Sequence, residues 1–247
     1  MGLVALTALG IGGATVIGAI IGFCFKKIDE KWNDGILGFA AGIMLAAAIF
    51  GLIIPSMEQA GKSGIWMTVA GVLCGALFLN FADKLTPHLH HLTGVKEEEH
   101  KNNAHLNKVM LFVLAIAIHN LPEGLAAGVG VGAGDMGNAL TISFGIALQN
   151  IPEGMVIISP MILSGVSKGR TFVIALMTGL VEVVGTFIGY FAAGISAAVL
   201  PFCLAFAGGT MLYVISDEMI PETHSHGYER LATYALLIGF LVMVLMD

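Results

Sequence analysis

Charge is what this sequence has least of. Asp, Glu, Lys and Arg make up 11% of its 247 residues, against roughly 25% in soluble proteins. A soluble fold of this length cannot clothe its surface with so few charges. A mean hydropathy of +0.89 points the same way. Cysteine is scarce too: Cys24, Cys74 and Cys203 are odd in number and scattered within or beside apolar runs. That argues against a disulfide framework or thiolate metal site and for free thiols used as small apolar residues. There is no glycine-rich phosphate loop, so ATP-driven chemistry of that kind is not expected. The His-Glu-x-x-His signature of a metallohydrolase is missing as well, and the chain is not expected to be an enzyme.

What is abundant is apolar length, with 57% hydrophobic residues. Runs near the 20 residues that cross about 30 Å of hydrocarbon recur along the chain. They predict eight spans, at roughly 3–25, 35–57, 65–86, 108–132, 138–163, 170–193, 198–220 and 229–247. The expected fold is all-α: a polytopic eight-helix transmembrane bundle forming one integral membrane domain, 1–247, with pseudo-symmetric repeats and kinked central helices. Nothing before Lys26 is basic, so no cleavable leader is expected. Lys26, Lys27, Lys31, Lys84, Lys96, Lys101, Lys108, Lys168, Arg170 and Arg230 fall at alternate loops on one side, with Lys62 on the other. By the positive-inside rule the first side is cytoplasmic, which puts both termini outside the cytoplasm. The expected setting is the plasma (inner) membrane.

Many of the 33 glycines form small-xxx-small pairs, such as Gly18/Gly22, Gly38/Gly42, Gly124/Gly128 and Gly185/Gly189. Such pairs bring helices close where no hydrophobic effect drives association. They predict tight packing and say nothing of substrate. A weak repeat is also present. Ala115–Gly124 (AIAIHNLPEG) resembles Gly145–Gly154 (GIALQNIPEG), while Ile54-Pro55 and Ile220-Pro221 close the second and seventh spans, with acids nearby. Paired interruptions of this kind point to a transporter site at a repeat interface.

The two hexapeptides, His119–Gly124 and Gln149–Gly154, place polar groups deep in apolar runs. A charge there costs about 3 kcal/mol or more. His119 and Glu123 are four residues apart and share a helix face, as do Gln149 and Glu153. Asn120 and Asn150 lie about 100° round, where they can serve an adjacent site. Pro122 and Pro152 leave the carbonyls of Ile118 and Leu148 without donors and predict kinks that line a cavity. Glu182 adds a third acid in the run LMTGLVEVVGTFIG, with no basic neighbour. Three such acids argue for a cation, and imidazole with carboxylate favours Zn, Fe, Co or Mn over Ca or Mg. A proton relay using the glutamates stays open as the alternative.

The HNLPEG of the fourth span, followed by QNIPEG in the fifth, resembles the ZIP (Zrt-, Irt-like) metal transporters, and within them the bacterial GufA-like subfamily. Span number, outward termini and a His-bearing loop between spans three and four fit that resemblance along nearly the whole chain. It implies a binuclear metal centre between spans four and five. By position, one metal would use His119, Glu123, Gln149 and Glu153, with Met44 of the second span as a further ligand. The other would use Asn120, Glu123, Asn150, Glu153 and Glu182. Gln149 stands where many members have His, and Asn150 where many have an acid, and both changes weaken the set.

The implied function is uptake of divalent transition metals toward the cytoplasm, zinc first, with iron, manganese, cobalt and cadmium also in range. The alternative is a proton-coupled transporter of another small solute. The metal is substrate, and no catalytic cofactor is expected. Divalent metal ions and the lipid bilayer are the expected partners, with a homodimer open and no nucleic acid. The loop 87–107 carries His88, His90, His91, His100 and His105 with Glu97, Glu98 and Glu99, a metal-capturing composition. Asp83 marks a possible end of the path. Asp217, Glu218, Glu222, His224 and His226 form a second polar cluster suited to an exit funnel. Asp247 is a chain end on the outer side.

Overall fold

Hydrocarbon offers backbone amides no water to bond, so a spanning segment must satisfy them internally, and a helix does this within one segment. The computed structural model describes the backbone of residues 1–25, 29–92, 104–163, 165–196 and 198–246. The side chains at 63, 82–92, 104–112, 114, 115 and 119 lie outside the described set. Among the described residues the regular structure is entirely helical. It comprises α1 (Gly2–Gly22), α2 (Glu30–Ala46), α3 (Ile54–Leu92), α4 (Ala104–Gly132), α5 (Met136–Leu163), α6 (Lys168–Ala193), α7 (Leu200–Val214), α8 (Ile220–Thr223) and α9 (Glu229–Met246).

Seven described stretches are long and apolar enough to cross a membrane, and the 29-residue α4 is an eighth membrane-length helix. Span two runs Glu30–Lys62 through α2 and the start of α3, and span three begins at Gly64. The break between them is at Gly61, whose φ of 62° is a conformation that favours glycine. Span seven is α7 continued into α8, and span eight is α9. The histidine tract expected at 87–107, Asp83 and Asp247 lie outside the described residues or side chains.

Pro122 and Pro152 sit inside α4 and α5, which run on past them. Elsewhere the backbone widens into π-helical turns at Ala47–Ile53 and Ile215–Met219, each directly before an Ile-Pro pair. Proline explains the position of these turns. Pro55 and Pro221 have no N–H for the carbonyls of Gly51 and Asp217, and their rings would clash with those carbonyls in a regular turn. The amide of Asn138 takes up the freed Gly51 carbonyl at 3.0 Å.

The packing repeats itself. Span one lies on span five and span four on span six, while span three lies on span seven and span two on span eight. Exchanging one with six, two with seven, three with eight and four with five returns the same set of neighbours. The correspondence holds residue by residue. Gly18 packs on the carbonyl of Ile151 and Gly185 on that of Leu121; Gly42 packs on Leu236 and Gly209 on Val72. At the centre Gly12 and Gly179 meet each other. A methyl on either would lie 2.6 or 2.7 Å from the other's carbonyl oxygen, as expected where a two-fold axis passes between them.

Candidate metal centre

The motif residues of α4 and α5 converge near that axis. Asn120, Glu123, Gln149 and Asn150 are buried, as is Glu182 of α6, while Glu153 is 6% exposed. The amide of Gln149 donates to Glu123 Oε1 at 2.6 Å. The amide of Asn150 donates both to Glu182 Oε1 and to the carbonyl of Ile11, the latter at 3.1 Å. Asn120 makes the matching bond on the other side, to the carbonyl of Thr178 at 3.1 Å. Ile11 and Thr178 are themselves a pair related by the internal two-fold, so the asparagines anchor each motif helix to equivalent backbone.

Each motif glycine has a part in the same construction. Gly124 packs on the carbonyl of Glu182, and Gly154 on the carbonyl of Thr15. With no Cβ, each glycine brings α6 or α1 close enough for its side chain to enter the site. Thr15 uses that proximity, and its hydroxyl donates to Glu182 Oε2 at 3.0 Å.

These bonds engage each amide nitrogen and leave oxygens over. Asn120 Oδ1, Glu123 Oε2, Gln149 Oε1 and Asn150 Oδ1 are buried and receive no donor. Buried acceptors without donors are costly. No lysine or arginine is buried among the described residues, while Glu123, Glu153 and Glu182 lie close enough to feel one another's charge. Buried oxygens without donors beside three acids are costly, and a cation is one group that would relieve that cost, although among the described residues no three His, Cys, Asp or Glu side chains are arranged to hold a metal ion.

The structure thus brings together Asn120, Glu123, Gln149, Asn150 and Glu182 through hydrogen bonds or shared neighbours, with Glu153 beside them. His119 is on α4 one turn before Glu123, its side chain outside the described set. Met44 is fully buried in the main apolar cluster with Ile43, Ala47 and Ile146.

Two cavities open toward opposite ends of the bundle. One, of about 430 Å³, is lined by Leu37, Ile116, Glu153, Asp217, Glu218 and Glu222 among others. It joins the acidic cluster at the end of span seven, expected as a funnel, to a carboxylate of the centre. The other, of about 470 Å³, is lined by Phe50, Pro55, Glu58, Asp135, Asn138 and Leu204 among others, and none of the motif residues whose side chains are described line it. Beside the first cavity, His226 Nδ1 lies 2.9 Å from Oδ1 of the fully buried Asp34. The His226–Asp34 pair and the role of Thr15 were missed in the sequence. Thr15 did leave a signal there. GGATVIGAIIG at 12–22 matches GLVEVVGTFIG at 179–189 in its first, fifth, seventh, tenth and eleventh positions, three of them glycine, which sets Thr15 opposite Glu182.

A buried carboxylate–amide centre, held at the interface of two structural repeats and reached by a cavity with acids at its mouth, is the build of a multi-pass membrane transporter of cations. Comparison with known proteins makes this particular. The family model described as "ZIP Zinc transporter" matches residues 96–247. The chain is 42% identical to "Zinc transporter GufA" of Myxococcus xanthus, covering 100% of this chain and 98% of that protein. It is 38% identical to "Zinc transporter ZIPB" of Bordetella bronchiseptica, over 95% of this chain and 77% of that one. It is 30% identical to "Zinc transporter ZIP11" of Xenopus tropicalis, over 95% and 93%. The chain belongs to the ZIP zinc transporter family.

Proposed function

We propose that this protein carries divalent transition metal, zinc first, across the plasma (inner) membrane into the cytoplasm. The observation that carries the reading is the group of buried oxygens without donors on Asn120, Glu123, Gln149 and Asn150, set among three carboxylates. Glu123 bridges the two ligand sets, with His119, Gln149 and Glu153 completing one and Asn120, Asn150, Glu153 and Glu182 the other. Met44 of span two would be a further ligand of the first. Basic residues concentrate at the end where the Glu153 cavity opens, so that cavity faces the cytoplasm and both termini face outward. Asp217, Glu218 and Glu222 then draw released metal away from the centre. Alternate exposure follows from spans one, four, five and six moving against the rest, as repeat-built transporters do.

The test is uptake of zinc, iron, manganese, cobalt and cadmium into liposomes holding the purified protein, with Glu123→Ala and Glu153→Ala in parallel. Selective metal uptake that both variants lose, while still folded, supports the proposal. Absence of uptake for every metal would transfer the glutamates to a proton relay.

A further inference from the structure

A threonine buried in a helix ordinarily turns its hydroxyl back to its own helix. Thr178, Thr186 and Thr210 do so, bonding the carbonyls of Ala175, Glu182 and Ala207 at 2.8, 2.8 and 2.6 Å. Thr15 is as deeply buried, at 1% exposure, yet its hydroxyl crosses to Glu182 Oε2 at 3.0 Å. Asn150 donates to the other oxygen of the same carboxylate. Glu182 is therefore gripped from both sides. An ionised carboxylate has about four lone-pair sites, so two donors fix its orientation and still leave room for a metal.

The internal two-fold explains why α1 supplies this contact. Gly12, Gly18 and Gly22 correspond to Gly179, Gly185 and Gly189 in their packing partners. Thr15 therefore occupies in the first repeat the place Glu182 holds in the second. Two acids there would face each other across the axis without a neutralising base. A hydroxyl at one of the two places turns that repulsion into a hydrogen bond.

We infer that Thr15 is a positioning residue of the metal centre, holding the Glu182 carboxylate in the orientation that binds metal. This rests on Glu182 being a metal ligand. Groups that orient a metal ligand are typically worth 10–100-fold in affinity. Thr15→Val removes the hydroxyl at almost constant shape, Thr15→Ala removes it with less bulk, and Thr15→Ser keeps it.

Zinc binding by equilibrium dialysis on the purified full-length protein tests this, with metal-free melting measured alongside. The expected result is a loss of about 10–100-fold in Thr15→Val and Thr15→Ala, with Thr15→Ser close to wild type. The loss should vanish when Thr15→Val is placed in a Glu182→Gln background. Wild-type affinity in Thr15→Val, a Thr15→Ser as weak as Thr15→Val, or a loss that persists beside Glu182→Gln would each overturn the inference. Wild-type affinity in Glu182→Gln itself would instead overturn Glu182 as a ligand, and the role of Thr15 with it.

Discussion

Gly12 and Gly13 are neighbours in α1 with opposite surroundings, and the contrast sets a quantitative test of the central axis. A methyl added at Gly12 would lie 2.6 Å from the carbonyl oxygen of Gly179 and 2.9 Å from Cγ2 of Val183. One added at Gly13 meets nothing within 4 Å. Ordinary contact begins near 3.4 Å, so Gly12→Ala must drive α1 and α6 apart by about 0.8 Å, and the obstacle is backbone that cannot rotate away. Thr15 and Glu182 sit one turn further along the same two helices. Their 3.0 Å hydrogen bond would stretch past about 3.6 Å, where it ceases to be one. Overpacking of this kind costs about 1–3 kcal/mol, and metal–ligand distances tolerate only about 0.2 Å. Both substitutions gain the same helix propensity, so their difference isolates the close approach. Metal-free melting and zinc dialysis on the two variants should show Gly12→Ala lowered in both stability and affinity, and Gly13→Ala near wild type. Equal behaviour of the two would refute the axis.

His226 sets a pH dependence outside the spans. Burial lowers its pKa, but the bonded Asp34 carboxylate, with Glu222 and Glu30 nearby, outweighs burial and raises it above its usual 6.5. The folded state thus holds the proton more tightly. The stabilisation is complete below about pH 6.5 and fades as pH climbs through the raised value. Melting against pH should show wild type above His226→Gln in acid and converging with it in alkali; a constant gap would contradict this. Asn138→Ala should cost about 1 kcal/mol by freeing the Gly51 carbonyl, and Asn138→Asp more, since a carboxylate faces that oxygen. Melting temperatures in any other order would show that the bond is not made in solution.

Much of the centre was legible because polar residues stand out in apolar runs. His119–Gly124 and Gln149–Gly154 break long hydrophobic stretches, and Glu182 has no basic neighbour to explain it. Spans were legible for the same reason, with ends displaced by a few residues; span two, for instance, starts at Glu30. Thr15 was not, since threonine is unremarkable in a membrane helix and its value lies in a partner 167 residues away. The carbonyls of Ile11 and Thr178 leave no mark in a sequence at all, because every residue has one. Ile54-Pro55 and Ile220-Pro221 read as the ends of spans two and seven, yet both spans run past them, to Lys62 and Thr223; the prolines mark π-helical turns instead, a form that side-chain identity does not spell out. Asp34 and His226, 192 residues apart, share no periodicity that would link them.

The matched halves also mean that one conformation encodes a second. Leu37 and Pro221, at the cavity reaching Glu153, correspond across the repeat to Leu204 and Pro55 at the cavity that no described motif side chain lines. Let each half assume the shape its counterpart now has, and the open passage transfers to the opposite end, with Glu123 exposed where Glu153 was. On the proposed orientation, the outward-open form would be this same chain with its halves' roles traded, its vestibule lined by Glu58 and Asp135 in place of Asp217, Glu218 and Glu222. If uptake runs in the proposed direction, the entry side then offers two acids, Glu58 and Asp135, against the three, Asp217, Glu218 and Glu222, of the exit side.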